Sequence, residues 1–272
     1  RFLGEKAEAP ISGRIIRKQG RNLHRPASYI MTEENIRWNI REEDAMIVKI
    51  KRQDRPDSAP FWQSFVYDGS REVTVAAVLD YLNYNDDLTD TEGHGARRIR
   101  WECSCLQKVC GACAMVINRK PGLACAVFLR DLPEEELTLE PLSKFPVIAD
   151  LQVDRSVIYR NLQRAQMYLR QYRGGSEKEY PHQYQAAKCL KCGLCLEVCP
   201  NYTGGEDFFG ALFANEAYLL SSQSEEPREL RREYGRHFAA GCSRSLACES
   251  ICPAGIPTLA SIAKMNRGKF GK

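Results

Sequence analysis

The sequence predicts an α+β chain in two halves. A small, strongly curved sheet crossed by one helix is expected over residues 45–145, and an all-helical half over 146–272. Three observations lead there. Apolar and aromatic residues alternate in part over 47–50 and 61–66, as half-buried strands do. Over 72–85 the period changes, and Val75, Val78, Leu79 and Leu82 fall on one helical face behind Thr74, a suitable N-cap. From about residue 146 the helical period prevails, interrupted by runs of cysteine.

Residues 1–44 read as an extension. Arg1, Lys6, Arg14, Arg17, Lys18, Arg21 and Arg25 face only Glu5 and Glu8 over the first 31 positions. Without sustained amphipathic spacing they fit a solvated arm lying on a neighbour better than a segment contacting anionic lipid or a partner's acidic surface. Further on, strand signals return over 115–117. A turn at Arg119-Lys120-Pro121-Gly122 leads to an expected strand over 123–128, and 137–139 closes the sheet. In the second half, helices are expected over 153–172, 209–222, 227–238 and 257–267, with Pro257 suited to a first turn.

Length and composition restrict the function. A chain of 272 residues with 43% hydrophobic content can form two ordinary cores. No stretch reaches the apolar length of a membrane span, and a net charge of +4 is too small to argue for nucleic acid. Dinucleotide, P-loop, nucleophile-elbow and zinc-protease fingerprints do not occur. Opening on Arg1 rather than Met, the sequence carries no information on a preceding targeting segment.

The chemistry lies in the 12 cysteines, clustered at short gaps as in metal sites rather than in disulfide scaffolds. Cys105, Cys110 and Cys113 give C-x4-C-x2-C, with Cys125 downstream, which is the plant-type spacing for a [2Fe–2S] cluster. Gly111 and Ala112 keep bulk away from the sulfurs. Zinc prefers paired C-x2-C knuckles, which the four-residue gap fits poorly. Cys103 reads as a spare thiol and His94 as a surface loop residue.

Residues 189–200 and 242–253 form an internal repeat, CLKCGLCLEVCP over CSRSLACESICP. The first copy is the bacterial ferredoxin motif C-x2-C-x2-C-x3-C-P, in which the fourth cysteine ligates the other cluster. Applied here, Cys189, Cys192, Cys195 and Cys252 hold a [4Fe–4S] cluster. Cys199, Cys242 and Cys248 hold the other, with Ser245 at the fourth corner. A neutral hydroxyl is a poor iron ligand, so that site is expected to be [3Fe–4S]; the alternative is an alkoxide that retains the fourth iron. Three different clusters and no visible substrate site describe a wire.

RWECSCLQKVCGACAMVIN, GLACAVFLRDL, CLKCGLCLEVCP and CSRSLACESICP closely resemble the iron–sulfur subunit of the succinate dehydrogenase and fumarate reductase family, over about 46–272. The resemblance implies an N-terminal β-grasp domain of plant-ferredoxin type and a C-terminal helical domain of bacterial-ferredoxin type. It also implies a flavoprotein partner holding FAD, a membrane anchor (with or without a cytochrome b), and quinone as electron partner. The complex would sit on the cytoplasmic face of a bacterial inner membrane, or the matrix face of the mitochondrial one. Family members that use ubiquinone carry tryptophan after the first Cys-Pro and histidine after the first cysteine of the second run. Here Thr203-Gly204 and Ser243 stand there, which favours the fumarate-reductase-like or menaquinone-using branch. Pro200, Ser243, Ser245 and Lys264 are the candidate quinone residues. The rival readings are an iron–sulfur subunit of a different flavin-dependent dehydrogenase, a soluble thiol-linked fumarate reductase, and a zinc-binding or iron-sensing structural protein.

Overall fold

The computed structural model describes residues 45–267 apart from residues 86, 134 and 175; the extension read over 1–44 lies outside the described residues. β1 (Met46–Arg52), β2 (Phe61–Tyr67), β3 (Ala114–Ile117), β4 (Lys120–Leu123) and β5 (Glu136–Glu140) form a mixed sheet in the order β2-β1-β5-β3-β4. The buried row of β1 is Met46, Val48 and Ile50. It meets Tyr67 and Phe65 on antiparallel β2, and Leu137 and Leu139 on parallel β5. Alternate residues face the core because the pleat turns successive side chains to opposite sides. Helix α1 (Val75–Tyr84) closes that face with Val75, Val78, Leu79 and Leu82, and the Thr74 hydroxyl accepts the Ala77 N–H at 3.3 Å.

The buried row of β1 ends on a charge. Arg52 is fully buried, and its Nε donates to Asp150 Oδ1 at 3.0 Å. Arg97 approaches the same carboxylate with both terminal nitrogens, at 2.7 and 2.8 Å. The Gln53 and Arg100 N–H groups complete the site at 3.0 and 2.9 Å. Asp150 itself sits at φ 47°, in the turn between β6 (Val147–Ala149) and β7 (Gln152–Val153). This carboxylate fastens the end of β1, the 97–100 segment and the β6–β7 hairpin together. The Arg97–Arg100 segment leads directly into the first cysteine loop.

The helical half is built around α5 (Gly210–Ser221), whose residues are buried on nearly every side. It packs against α3 (Tyr180–Ala187), the short α4 (Leu194–Glu197), α6 (Pro227–Tyr234) and α8 (Thr258–Arg267). α6 continues into a π-helical turn over Gly235–Ala239, and α7 (Ala247–Ser250) precedes α8. One apolar core joins sheet residues to Leu142, Phe145, Ile158, Leu194, Leu196 and Leu212, and so runs across residue 145. A second surrounds Phe209, Phe213, Tyr218, Tyr234 and Met265.

Several expectations are corrected. The β3–β4 hairpin turns at Asn118-Arg119, both at positive φ (45° and 65°), rather than at 119–122. The strand therefore occupies Lys120–Leu123, and Ala124 to Phe128 leave the sheet. Pro121 is tolerated because β4 is an edge strand. The half expected to be all-helical from 146 opens instead with the β6–β7 hairpin, and the helix read over 153–172 shortens to α2 (Ser156–Arg164), since Val153 pairs with Val147 and Gln166 turns the chain at φ 49°. Helix α3 carries no sequence signal: it buries only Gln183 and Ala186, so no apolar stripe marks it.

Burial by itself would raise the pKa of Asp150, but hydrogen bonds from Arg97, Arg52 and the Arg100 N–H outweigh it and hold the carboxyl below its usual 3.8. Its folded pKa is lower than its unfolded one. The stabilisation is therefore present above the ordinary carboxylate range and is lost as pH falls through the folded value. Asp150→Ala should cost roughly 3–5 kcal/mol, because it strands a buried guanidinium. Urea unfolding at pH 7 and pH 3 measures this, and the difference between variant and parent should shrink at the lower pH.

Candidate metal centres

The first cysteine loop has no regular secondary structure and is shaped by left-handed residues, Leu106 at φ 53°, Lys108 at 63° and Gly111 at 75°. Curling this way points N–H groups at sulfur: the Gln107 N–H lies 3.3 Å from Cys105 Sγ. Cys105 is lowered to about 7 by that N–H, by the Cys110 thiol and by further backbone N–H groups. Cys113 contacts Cys125, and burial pushes Cys113 up to about 12. Cys125 lies in the turn after β4, whose carbonyls are capped by α1: Val75 N donates to Val127 O at 2.9 Å and Ala76 N to Ala124 O at 3.0 Å. The helix thus fixes the fourth sulfur of the loop. Cys103 is exposed beside Asp80, and His94 is an exposed loop residue near Asp90 and Glu92.

The two later runs repeat each other in backbone as well as in sequence. Lys191 and Arg244, which align with each other, take φ 53° and 60°; Gly193 and Leu246, the next aligned left-handed pair, take 88° and 62°. Each pair leads into a four-residue helix, α4 or α7. Leu196 N donates to Gly193 O and Glu249 N to Leu246 O, at 2.9 and 3.0 Å. Ser245 therefore stands where Cys192 stands in the first copy, and the difference between the two sites is one of chemistry, not of backbone.

Two cavities sort the sulfurs. Cys189, Cys192, Cys195 and Cys252 line one of them, together with Gly193, Asn215 and Thr258. Cys199, Cys242 and Cys248 line the other, of about 260 Å³, with Ser243 and Ser245 on its wall. Cys248 also borders the first. The fourth cysteine of each run faces the cavity of the opposite run. Among the described residues, no three His, Cys, Asp or Glu side chains draw close enough to chelate a single ion. Thiols spread around a cavity suit a polynuclear group. Burial drives Cys195 well above the ordinary thiol value and Cys192 to about 11, so these sulfurs carry charge only against a bound cation.

The candidate quinone residues separate. Ser243 and Ser245 border the 260 Å³ cavity, whereas Pro200 is exposed and does not line it. Lys264 lies on another side of α8, with Nζ 2.6 and 2.8 Å from the Glu179 carboxylate, while Leu259, Ile262, Ala263 and Asn266 of that helix face the cavity. One further tie has no local signal in the sequence. The Glu197 carboxylate on α4 accepts N–H groups of Ser143 and Lys144 at 2.9 and 3.1 Å, joining the first thiol run to the end of the sheet half.

Residues 47–160 match a family model described as a 2Fe-2S iron-sulfur cluster binding domain, and residues 184–256 one described as a 4Fe-4S dicluster domain. The chain is 34% identical over 233 residues to the succinate dehydrogenase iron-sulfur subunit of Bacillus subtilis (strain 168), covering 80% of this chain and 90% of the relative. The chain belongs to the family of succinate dehydrogenase and fumarate reductase iron–sulfur subunits. Another relative is the fumarate reductase iron-sulfur subunit of Mycobacterium tuberculosis (strain CDC 1551 / Oshkosh), 32% identical over 235 residues, 81% of this chain and 91% of that one. The fold also matches a chain of the Mycobacterium smegmatis Sdh1 complex in the apo form. That match has a TM-score of 0.67 at 18% identity and covers 84% of this chain and 98% of the other. As an iron–sulfur subunit of this family, the chain serves electron transfer in an oxidoreductase. Among its described residues no helix is long and apolar enough to cross a membrane.

The repeat makes the left-handed position testable. A Cβ on Gly193 would stand 2.9 Å from the Phe145 ring, at φ 88°. Gly193→Ala should lower the stability of the cluster-loaded chain by roughly 1–3 kcal/mol, combining backbone strain with the clash. Leu246→Gly, at the equivalent exposed position, should stay within about 1 kcal/mol of the parent. Thermal unfolding of the full-length chain compares the two, and equal losses would contradict the asymmetry.

Proposed function

We propose that this subunit relays single electrons between the FAD of a flavoprotein partner and a quinone at a membrane anchor, in the interconversion of succinate and fumarate. The observation carrying the proposal is the sorting of seven sulfurs into two cavities by crossover, with a serine wall on only one of them. In this reading Cys105, Cys110, Cys113 and Cys125 hold [2Fe–2S]. Cys189, Cys192, Cys195 and Cys252 hold [4Fe–4S], and Cys199, Cys242 and Cys248 hold [3Fe–4S]. Each bound cluster supplies one-electron redox chemistry.

The residues of the chain do the rest. N–H groups around Cys105 stabilise negative charge on sulfur. Burial around Cys189, Cys192 and Cys195 keeps water from the second site. The hydroxyl of Ser245 offers no charge to a fourth iron, which separates the last centre from its neighbour in type and in potential. The relay divides into a β-grasp domain of plant-ferredoxin type over 45–145 and a domain of bacterial-ferredoxin type over 146–272, helical after the β6–β7 hairpin that opens it. Ser243 and Ser245 are the better placed of the four quinone candidates, and the missing tryptophan and histidine favour menaquinone. The subunit would be peripheral, held through its anchor on the cytoplasmic face of a bacterial inner membrane or the matrix face of a mitochondrial one.

Iron analysis and EPR of the full-length chain, isolated in its complex, test this. Roughly nine irons per chain are expected, with an EPR-active oxidised [3Fe–4S] centre. Ser245→Cys should raise the iron to about ten and remove that signal, since the backbone already holds this position as it holds Cys192. Stoichiometric zinc, or no iron, would overturn the assignment.

A further inference from the structure

The loops read as carrying the first two centres touch each other. A Cβ on Gly111 would lie 2.6 Å from the Cβ of Cys192 and 3.1 Å from that of Leu190, at φ 75°. Glycine at 111 lets the two ligand loops meet with no side chain between them. One guanidinium is bonded to both. Arg155, at the start of α2, donates from Nη1 to Gly111 O at 2.9 Å and to Cys192 O at 3.4 Å. From Nη2 it donates to Ala112 O at 3.0 Å and to the carboxylate of Glu102. Its side chain is only 14% exposed, against 33% for Glu102.

We infer that Arg155 is the positioning residue of the first electron step, clamping the Cys110–Cys113 loop onto the Cys192 loop and, opposed by Glu102, setting the potentials of the two centres they hold. The inference rests on the cluster assignment above. In that step one electron would pass between the two centres, one being oxidised as the other is reduced; no bond to the protein would form or break, and no proton need move. What the chain controls is the separation of the loops and the fixed charge between them. Arginine suits both tasks. It stays protonated at any working pH, and its planar fork reaches carbonyls on two loops at once, which the single ammonium of lysine does not. A buried positive charge favours the reduced, more negative state of a nearby centre, and the partly exposed Glu102 carboxylate opposes it.

This pair of opposite charges yields opposite signs, which loosened packing would not. EPR-monitored redox titration of the full-length, cluster-loaded chain in its complex reads them, with iron content measured alongside. Arg155→Met should lower the midpoints of the first two centres, by about 60 mV for a tenfold change in a one-electron equilibrium. Glu102→Gln should raise them, by less. Arg155→Lys keeps the charge but not the fork, so its midpoints should stay near the parent while electron exchange between the centres slows at least tenfold. Parent-like midpoints in both Arg155→Met and Glu102→Gln, at full iron content, would overturn the inference and leave the cluster assignment intact. Absence of clusters from the parent would instead remove the assignment. If Arg155→Met fails to retain iron, Glu102→Gln decides: a rise supports the role, and an unchanged midpoint refutes it.

Discussion

Ionising a thiol away from water is costly unless a positive charge stands beside it, and five of the sulfurs here are in that position. Cys113, Cys189, Cys192, Cys195 and Cys248 are all raised above the ordinary thiol value, with burial as the largest cause. Only thiolates bind iron firmly. A bound metal therefore supplies the compensating charge, and cluster binding is coupled to folding. The coupling reaches far, because Cys192, Leu194 and Leu196 belong to the same apolar core as Val48, Leu79 and Leu139 of the sheet half. Disturbing a cluster loop disturbs the floor on which the sheet packs.

The repeat shows how two unlike sites arise from one backbone. Position 246 keeps a left-handed φ of 62° with leucine, where its counterpart uses glycine. Gly193 is forced by the Phe145 ring, whereas the Leu246 side chain is nearly half exposed. With the backbone of the loop shared, the proposed loss of one iron needs only the exchange of a thiol for the Ser245 hydroxyl. Tuning by ligand chemistry needs no rearrangement of the core.

The grouping of the later cysteines around two cavities was legible because the candidate ligands come from short loops, where spacing in sequence is spacing in space. Thr74 and the Val75–Leu82 stripe were legible for a similar reason, since helix period and cap are local. Less local features were hidden. Pro121-Gly122 carries the usual mark of a turn, yet the turn falls at Asn118-Arg119. There the Asn118 side chain accepts the Thr138 N–H at 2.7 Å, anchoring the strained hairpin to β5. Arg52 breaks the alternation of β1, and its reason, Asp150, lies 98 residues away. Arg155 and Glu197 look like ordinary surface charges until folding brings carbonyls and N–H groups of another segment to them.

The central claim is that the fourth cysteine of each run serves the opposite site, with one corner left to Ser245. Iron-edge anomalous diffraction from crystals of the loaded complex tests it most directly. The account predicts three iron peaks in this chain: one inside the Cys105–Cys125 loop, one bonded to Cys252 but not Cys199, and one bonded to Cys199 that resolves into three irons with Ser245 unligated. A four-iron peak coordinated by the Ser245 oxygen, or Cys199 and Cys252 each bound within its own run, would contradict it.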